Sequence, residues 1–118
     1  MSDCLFCRIV AGEIPSDEVH SGELTGESTY AFRDVSPQAP THVLVVPREH
    51  YPNAAALAAA KPELLAGLVA DAHAIAVAEG LEERGYRLVF NTGPDAQQSV
   101  QHVHLHLLGG RSFGWPPG

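Results

Sequence analysis

The fold of this chain follows from one stretch, QSVQHVHLHLLGG, at residues 98–110. Three histidines, His102, His104 and His106, occupy every second position, and aliphatic residues lie between and after them. Successive side chains of a β-strand point to opposite faces, whereas a helix would rotate these histidines by about 200° per step of two residues. The spacing therefore predicts a strand with imidazoles on one face and core-forming aliphatic side chains on the other.

A row of three imidazoles suits more than one kind of chemistry. Histidine titrates near neutrality, so it can bind a metal, attack as a nucleophile or transfer protons. Alternate residues of a strand lie roughly 6.5 to 7 Å apart, close enough for two rings to flank one substrate atom or one ion. A solvated strand that happens to be rich in histidine is the plain alternative. The residues alone leave a metal site and a phosphate-handling site both open.

The composition limits the class of partner. The chain has 118 residues, 45% of them hydrophobic, which is enough for one core and predicts a single domain over residues 1–118. Seven Lys and Arg residues stand against fourteen Asp and Glu, for a net charge of −7. This balance argues against a nucleic-acid or anionic membrane partner. A bound phosphate would then need histidines and backbone N–H groups in place of a lysine cluster.

Hydropathy and cysteine usage indicate a cytoplasmic protein. No stretch has the length of a transmembrane helix, and the N-terminus lacks the pattern of a signal peptide. The only cysteines, Cys4 and Cys7, form one C-x-x-C pair, whereas secreted scaffolds carry several. A redox pair would follow a strand in a βαβ unit. Half of a zinc site is therefore the better interpretation of this N-terminal pair.

The remaining pattern predicts short strands and one long helix. A short helix is expected within residues 3–11, and strands at 18–20, 28–33, 42–46 and 87–90 in addition to the histidine strand. Asn53 can cap a short alanine-rich turn or helix, and the long helix begins near Pro62 and stops at Gly80. The connections other than the helical one are short, which favours antiparallel pairing. The predicted class is α+β, with about five antiparallel strands. The long helix should bury a stripe of Leu64, Leu65, Leu68, Val69, Ala72, Ile75 and Ala76.

The chain resembles the histidine-triad (HIT) nucleotide-binding family, and within it the Hint branch. The matching segments are FCRI at 6–9, EIP at 13–15, FRDVSPQAPTH at 32–42, YRLV at 86–89 through Asn91, the triad from Gln98 to Leu108, and GGR at 109–111 followed by WPPG at 115–118. They cover nearly the whole chain in the family's order. The resemblance implies a dimerising α+β HIT fold and hydrolysis of purine nucleoside phosphoramidates, such as adenosine 5′-phosphoramidates.

The resemblance also implies a catalytic role for each triad position. His104, the middle histidine, would attack the α-phosphorus and form a nucleotidyl-histidine that water then cleaves. This is chemically sound, because a neutral imidazole is a competent nucleophile and covalent catalysis divides one difficult displacement into two. His106 and His42 would face the phosphate oxygens, and Ser99 would hydrogen-bond the bridging atom or the departing amine. The chemistry requires no catalytic metal.

Nucleotide contacts follow from the same resemblance. Asp34 would bind the ribose hydroxyls, although an Asp that caps a turn is an ordinary interpretation of this residue. Asn91 and the backbone N–H groups of the 97–99 loop, including Gln97 and Ser99, would hold phosphate oxygens. An apolar slot for the base would be formed by Leu5, Phe6, Ile9, Phe32 and Val35. The same residue types would serve equally well as ordinary core.

Two residues depart from the family pattern. Gln97 stands where the family commonly has glycine, so the approach of the loop backbone to the phosphate would differ. Gln101 replaces a more usual aromatic residue before the triad. Neither change removes a chemical group that the mechanism needs. We therefore expect altered rate or selectivity, with activity retained.

Some bacterial relatives place a structural zinc on a C-x-x-C pair, a histidine soon after the second strand's proline, and the first triad histidine. The corresponding residues here are Cys4, Cys7, His50 and His102, with His50 three residues beyond Pro47. Two thiolates and two imidazoles would form a closed tetrahedral site of the structural type. The alternative is a reduced thiol pair without metal.

The C-terminal segment 111–118 carries the only tryptophan, Trp115, beside two prolines that preclude a helix. Because the segment is too short to build its own core, Trp115 has to be buried against another part of the protein or a second subunit. In the Hint branch the subunits pair across the sheet and the C-terminus reaches toward the partner's active site, so the resemblance implies that Trp115 packs at a homodimer interface, near the active site. Two other functions stay open. One is a dinucleoside polyphosphate hydrolase of the same superfamily, against which the GGR and WPPG segments argue. The other is a zinc- or nucleotide-binding regulatory module without turnover.

Overall fold

The computed structural model describes residues 3–20 and 27–118. These residues form three helices, α1 (Leu5–Val10), α2 (Ala54–Ala60) and α3 (Pro62–Ala78), and five strands, β1 (Glu18–His20), β2 (Thr29–Arg33), β3 (Thr41–Pro47), β4 (Tyr86–Val89) and β5 (Leu105–Gly109). The strands pair antiparallel in one sheet of order β1-β2-β3-β5-β4. The predicted α+β class and antiparallel sheet are confirmed. No helix in the described ranges is long and apolar enough to cross a membrane.

Alternation along the central strands gives the sheet two apolar faces. One core cluster joins Val43 and Val45 of β3 and Leu105 and Leu107 of β5 to buried residues of α2 and α3. The other cluster contains Leu44 and Val46 of β3, with Phe32 of β2 and with Phe6 and Ile9 of α1. The even-numbered residues of β3 and β5 therefore face α1. This alternation places His42 and His106 on the α1 side of the sheet.

The helices begin and end where the sequence predicts. Asn53 Oδ1 accepts a hydrogen bond from Ala56 N–H at 2.9 Å and so caps α2. Pro62 occupies the first turn of α3, and Gly80 follows its end with φ +76°, in the left-handed region that favours glycine. The predicted stripe of α3 is buried in part. Val69 is the clearest exception, at 41% exposed.

The histidine strand begins later than its two-residue period suggests. β5 starts at Leu105, so His102 and His104 lie in the segment before it. Pro47 ends β3 and has no N–H with which to extend the ladder. The division into two faces nevertheless continues, because Val103 joins the same core cluster as Leu105. The predicted strand at 87–90 is also displaced by one residue, to Tyr86–Val89.

Two glycines end β5 because the chain packs closely there. A Cβ atom on Gly109 would lie 2.5 Å from Leu81 Cδ1. Gly110 has φ +90°, and a Cβ atom on it would lie 2.9 Å from Pro40 Cβ. Both positions exclude larger side chains without a local shift. This packing holds the start of the C-terminal segment against the loop that precedes β3.

Candidate active site

His104 lies at the centre of the histidine group with its protonation fixed by a backbone contact. Its ring is 6% exposed and lies 5.0 Å, between ring centroids, from both Phe6 and His106. Nδ1 is 2.8 Å from the His102 carbonyl oxygen, which can only accept, so Nδ1 carries the proton. Burial lowers the pKa of His104. The ring is therefore neutral, with an unprotonated Nε2.

His42 and His106 form a directed hydrogen-bond chain. The backbone N–H of Gln38 donates to His42 Nδ1 at 3.0 Å, which leaves the proton of a neutral His42 on Nε2. His42 Nε2–H then donates to His106 Nδ1 at 2.9 Å. The pKa of His42 is lowered by burial, against the opposing effect of the nearby Asp34 carboxylate. Burial, with His104 and His42 adding to its effect, lowers the pKa of His106 from 6.5 to about 4.

The hydrogen-bond chain from Gln38 through His42 to His106 directs N–H donors into a cleft. Because His106 accepts at Nδ1, its proton lies on Nε2, which is 3.5 Å from Asn91 Nδ2. The N–H donors of His106 and Asn91 thus lie side by side, and both side chains are neutral. The surrounding cleft, of about 260 Å³, is lined by both of these residues and by His42. The structure therefore brings Asn91, His42 and His106 together at this cleft, and the His104 ring lies beside that of His106, outside the cleft lining.

The loop before the triad is held by a residue that sequence reasoning did not single out. Gln98 is buried, and its amide donates to the carbonyl oxygens of Pro52 at 2.7 Å and Val100 at 3.1 Å. Its side-chain oxygen accepts from Gly93 N–H at 3.1 Å. Its place in a loop of polar residues gives no sequence signal of this burial. Through these hydrogen bonds the buried Gln98 side chain fixes the position of the loop, so the neighbouring loop side chains can remain exposed to solvent.

Gln97 has φ +65°, in the left-handed region that glycine adopts most easily. This gives a physical reason for the glycine that the family commonly has here. The Gln97 side chain is exposed, as is that of Ser99. Ser99 lines a different cavity from His42 and His106, beside Cys4 and Cys7. Its hydroxyl is thus not among the groups that the structure gathers at the cleft.

The apolar residues predicted to form a base slot divide into two groups. Phe6, Ile9 and Phe32 are buried in one cluster, and the Phe6 ring lies 5.5 Å from that of Phe32 in edge-to-face geometry. Leu5 is 44% exposed and Val35 is 97% exposed. Buried aromatic residues thus form a floor beside the triad. The other two side chains expose apolar surface to solvent.

Asp34 serves a turn and also contacts the histidine group. Its Oδ1 accepts from Ser36 N–H at 2.8 Å, which is the turn-capping contact that the residue type suggests. Its Oδ2 lies 3.5 Å from His42 Nε2. Asp34, His42 and His106 thus offer ligand atoms within 4.8 Å of one another. The hydrogen bond between the two histidines already occupies their facing nitrogens.

The predicted zinc ligands converge at the other end of the triad. Cys4, Cys7, His50 and His102 each offer an atom within 4.8 Å of the others. The first turn of α1 brings the two sulfurs together, since Cys7 N–H donates to Cys4 Sγ. His102 is fully buried, and its Nε2–H donates to the Pro47 carbonyl oxygen at 2.9 Å. Its unprotonated Nδ1 therefore faces the sulfurs.

The spacing of these atoms fits a tetrahedral zinc ion. Cys4 Sγ and Cys7 Sγ lie 3.4 and 3.5 Å from His102 Nδ1, and Cys7 Sγ lies 3.4 Å from His50 Nδ1. The two Nδ1 atoms are 3.2 Å apart. Zinc bonds of about 2.3 Å to sulfur and about 2.0 Å to nitrogen would give edges of about 3.5 Å and about 3.3 Å. The donor set and the spacing both suit zinc.

Known proteins are similar to this chain along almost its full length. The HIT domain family matches residues 12–113. The purine nucleoside phosphoramidase of Escherichia coli K12 is 43% identical over 112 residues, which cover 95% of this chain and 91% of that protein. A 14 kDa zinc-binding protein of Zea mays is 46% identical over 120 residues, covering 99% and 89% respectively.

The fold agrees with the sequence matches. The crystal structure of a HIT family hydrolase from Legionella pneumophila Philadelphia 1 superposes with a TM-score of 0.91 at 48% identity, covering 98% of this chain and 100% of that one. A histidine triad nucleotide-binding protein from Candida albicans superposes with a TM-score of 0.80 at 30% identity, covering 98% and 85%. The chain therefore belongs to the HIT domain family, on its Hint branch.

Proposed function

We propose that this protein hydrolyses purine nucleoside 5′-phosphoramidates through a nucleotidyl-histidine formed on His104. The observation that carries the proposal is the 2.8 Å contact from His104 Nδ1 to the His102 carbonyl oxygen. That contact fixes the tautomer whose Nε2 lone pair is available for attack. The purine nucleoside phosphoramidase of Escherichia coli, at 43% identity, supports the choice of substrate class.

In the first step, the His104 Nε2 lone pair forms a bond to the α-phosphorus. The P–N bond to the amine breaks, its electron pair stays on the amine nitrogen, and that nitrogen takes a proton from solvent water. Negative charge develops on the phosphate oxygens. His106 Nε2–H and the Asn91 amide would donate to these oxygens, in a setting where fixed donors stabilise the charge without reorganising.

In the second step, water attacks the phosphorus and gives up one proton to solvent, and the N–P bond to His104 breaks. The nucleoside monophosphate leaves with the water oxygen, and His104 recovers its lone pair while Nδ1 keeps its proton. The bond to the His102 carbonyl oxygen stabilises the positive charge that the ring carries in the intermediate. The same backbone atom thus serves both steps.

The nucleoside would lie on the α1 side of the sheet. We propose that the base packs on the floor formed by Phe6, Ile9 and Phe32, between the exposed side chains of Leu5 and Val35. Asp34 would accept from the ribose hydroxyls. Val35 supports this proposal, because a side chain that is 97% exposed gains most from an apolar ligand. Backbone N–H groups around Gln97 and Ser99 would complete the phosphate contacts.

We propose a structural zinc ion held by Cys4, Cys7, His50 and His102. Bound there, it would tie α1 to the triad segment and would take no part in the displacement at phosphorus. The Zea mays relative named as a zinc-binding protein supports this assignment. The spacing of the four ligand atoms supports it independently.

We also propose a homodimer in which Trp115 packs against the second subunit. Trp115 is 84% exposed in the single chain, and Val77 of α3 is 44% exposed. Strand β4 lies at one edge of the sheet, so its outer backbone groups are available for pairing. These features support an interface that includes the C-terminal segment.

Replacing His104 tests the catalytic proposal. His104→Ala should lower AMP release from an adenosine phosphoramidate by about 1,000-fold or more, because the nucleophile is lost. AMP binding, measured by calorimetry, should change little. Mass spectrometry of protein quenched during turnover should show an adenylyl adduct on the unsubstituted protein only. His73→Ala, at an exposed histidine of α3, is the matched control and should leave turnover unchanged. Full turnover by His104→Ala would exclude this mechanism, and AMP binding without any turnover would favour a regulatory module.

Elemental analysis tests the zinc site. Protein purified without chelators should contain about one zinc ion per chain, and Cys7→Ser should lose most of it because a thiolate ligand is removed. His73→Ala should retain the metal. Chelated protein that stays folded should still turn over substrate. Absence of zinc from the unsubstituted protein would contradict the proposal.

Sedimentation velocity tests the dimer. The intact protein should sediment as a dimer, and Trp115→Ala should shift it toward monomer because a large apolar contact is lost. Deleting residues 112–118 should change the preference among leaving groups more than the midpoint of thermal unfolding. An intact protein that sediments as a monomer would contradict the proposed interface.

The protonation of His106 predicts a pH dependence of stability. Its pKa is about 4 in the folded protein and 6.5 without the fold, so the unfolded chain binds more protons between these values. The free energy of unfolding should therefore fall as the pH is lowered from 6.5 toward 4, with no contribution above that range. Denaturant titrations at pH 7 and pH 5 give the change in the free energy of unfolding with pH, and so the number of protons taken up on unfolding. His106→Asn should lower that number by about one. An unchanged pH dependence in the variant would show that His106 is not the group responsible.

A further inference from the structure

The two cysteines lie beside a cavity that a small oxidant can enter. Cys4 and Cys7 are both half-buried, and neither forms a disulfide. Together with the exposed His50 they line a cavity of about 690 Å³. A thiol that is accessible to solvent and adjacent to a second thiol is typical of a reversible redox site. The proposed zinc site makes no use of this reactivity.

The two sulfurs are close enough to bond to each other. They belong to one group of four ligand atoms that all lie within 4.8 Å of one another. A disulfide requires about 2.05 Å between its sulfurs, so the two atoms need to approach by less than about 3 Å. Cys4 is the N-cap of α1 and lies before its first helical residue. Rotation of the Cys4 side chain can therefore bring the sulfurs together while the backbone of α1 is retained.

His102 uses these sulfurs as partners for a buried nitrogen. The ring is fully buried, and its Nε2–H donates to the Pro47 carbonyl oxygen, so Nδ1 can only accept. Cys4 Sγ and Cys7 Sγ lie 3.4 and 3.5 Å from this Nδ1. A thiol can donate its S–H to Nδ1, whereas a disulfide sulfur carries no proton and can only accept. Oxidation of the pair would therefore remove the donors that face His102.

The same contacts connect α1 to the triad segment. Phe6 lies between the two cysteines in sequence, and its ring centroid is 6.0 Å from that of His102 and 5.0 Å from that of His104. In the described part of the chain, the other polar neighbour of His102 Nδ1 is His50 Nδ1 at 3.2 Å, and His50 follows β3. A disulfide would thus leave His102 with a partner that does not hold α1. A helix of six residues depends on such contacts for its position.

We propose that Cys4 and Cys7 form a reversible redox switch, in which a peroxide converts the two thiols to a disulfide and detaches α1 from His102. Oxidation also removes two of the four proposed zinc ligands, so the metal is released. The effect on catalysis rests on the proposed phosphoramidase activity. Once α1 is detached, Phe6 no longer covers His104, and turnover falls.

The oxidation has two steps. One thiolate sulfur attacks a peroxide oxygen, the O–O bond breaks, and the departing hydroxide takes a proton to become water. The second thiolate attacks the sulfur of the sulfenic acid so formed, the S–O bond breaks, and a second hydroxide becomes water. The two sulfurs lose the two electrons that the peroxide gains. A dithiol reductant reverses the change by thiol–disulfide exchange and is itself converted to a disulfide.

The test treats the purified, zinc-loaded protein with hydrogen peroxide. Mass spectrometry of the intact, metal-free chain should show the loss of two hydrogen atoms, and a colorimetric chelator should detect released zinc. Hydrogen exchange of the α1 amides should become faster. AMP release from an adenosine phosphoramidate should fall by about tenfold, because a small displacement beside a reacting group has effects of at least this order. Dithiothreitol with added zinc should restore all four readings.

Two controls separate the disulfide from other effects of the treatment. Protein treated with a chelator and kept reduced loses zinc but retains thiols that can donate to His102. Its α1 amide exchange and AMP release should therefore change less than those of the oxidised protein. Cys7→Ser cannot form the disulfide, so peroxide should alter neither its AMP release nor its α1 amide exchange.

Peroxide-treated protein without a bond between Cys4 and Cys7 would overturn the proposal. A disulfide that leaves amide exchange of α1 unchanged would overturn it as well, as would an equal response of the chelated, reduced protein. If the reduced protein releases no AMP from any phosphoramidate, the proposed function fails. The disulfide, the released zinc and the amide exchange would then still decide the switch by themselves.

Discussion

The buried position of His102 is the constraint on which both parts of the site depend. Its Nε2–H bond to Pro47 O leaves Nδ1 facing the sulfurs of Cys4 and Cys7, while its carbonyl oxygen accepts from His104 Nδ1. A displacement of this one residue would alter the geometry of the proposed zinc ligands and the tautomer of His104, the proposed nucleophile, together. Pro47 makes the arrangement possible, because a residue that cannot extend the β-ladder as a donor still offers its carbonyl oxygen to the ring. The C-x-x-C pair is thus coupled to the nucleophile through a short path of hydrogen bonds.

Burial explains how an acidic chain can handle phosphate without lysine. The pKa values of His42, His104 and His106 are all lowered mainly by burial, so these rings are neutral at pH 7 and expose donors and one lone pair without adding net charge. A protonated His104 would bind phosphate more strongly, but it would have no lone pair for attack. The neutral state of His104 therefore favours attack on phosphorus over electrostatic binding of the phosphate in the ground state.

Sequence periodicity predicts the structural features that depend on residue type and spacing. It does not predict features, such as strand ends and burial, that depend on tertiary contacts. The two faces around His106 follow from a two-residue period, whereas the convergence of the C-x-x-C pair on the triad was expected from the resemblance to the family. The start of β5 does not follow from that period, because the Val103 N–H just before it donates to the Tyr51 carbonyl oxygen, which lies outside the sheet. Gln98 and Val69 show that residue type alone does not decide burial. The polar Gln98 side chain is buried with three hydrogen bonds to satisfy it, whereas the apolar Val69 is 41% exposed.

The short helix α1 links these constraints, although it contributes only six residues. Phe6 packs edge-to-face on both Phe32 and His104, so the side chain that would support the base also excludes water from His104. An isolated helix of this length is unstable in water, and its position must come from its contacts. On one side of α1 those contacts are with the apolar cluster. On the other side they are the contacts of Cys4 and Cys7 with His50 and His102. Loss of the metal ligands would therefore loosen Phe6 and hydrate His104, which raises its pKa toward the ordinary value and removes the lone pair from a larger fraction of molecules.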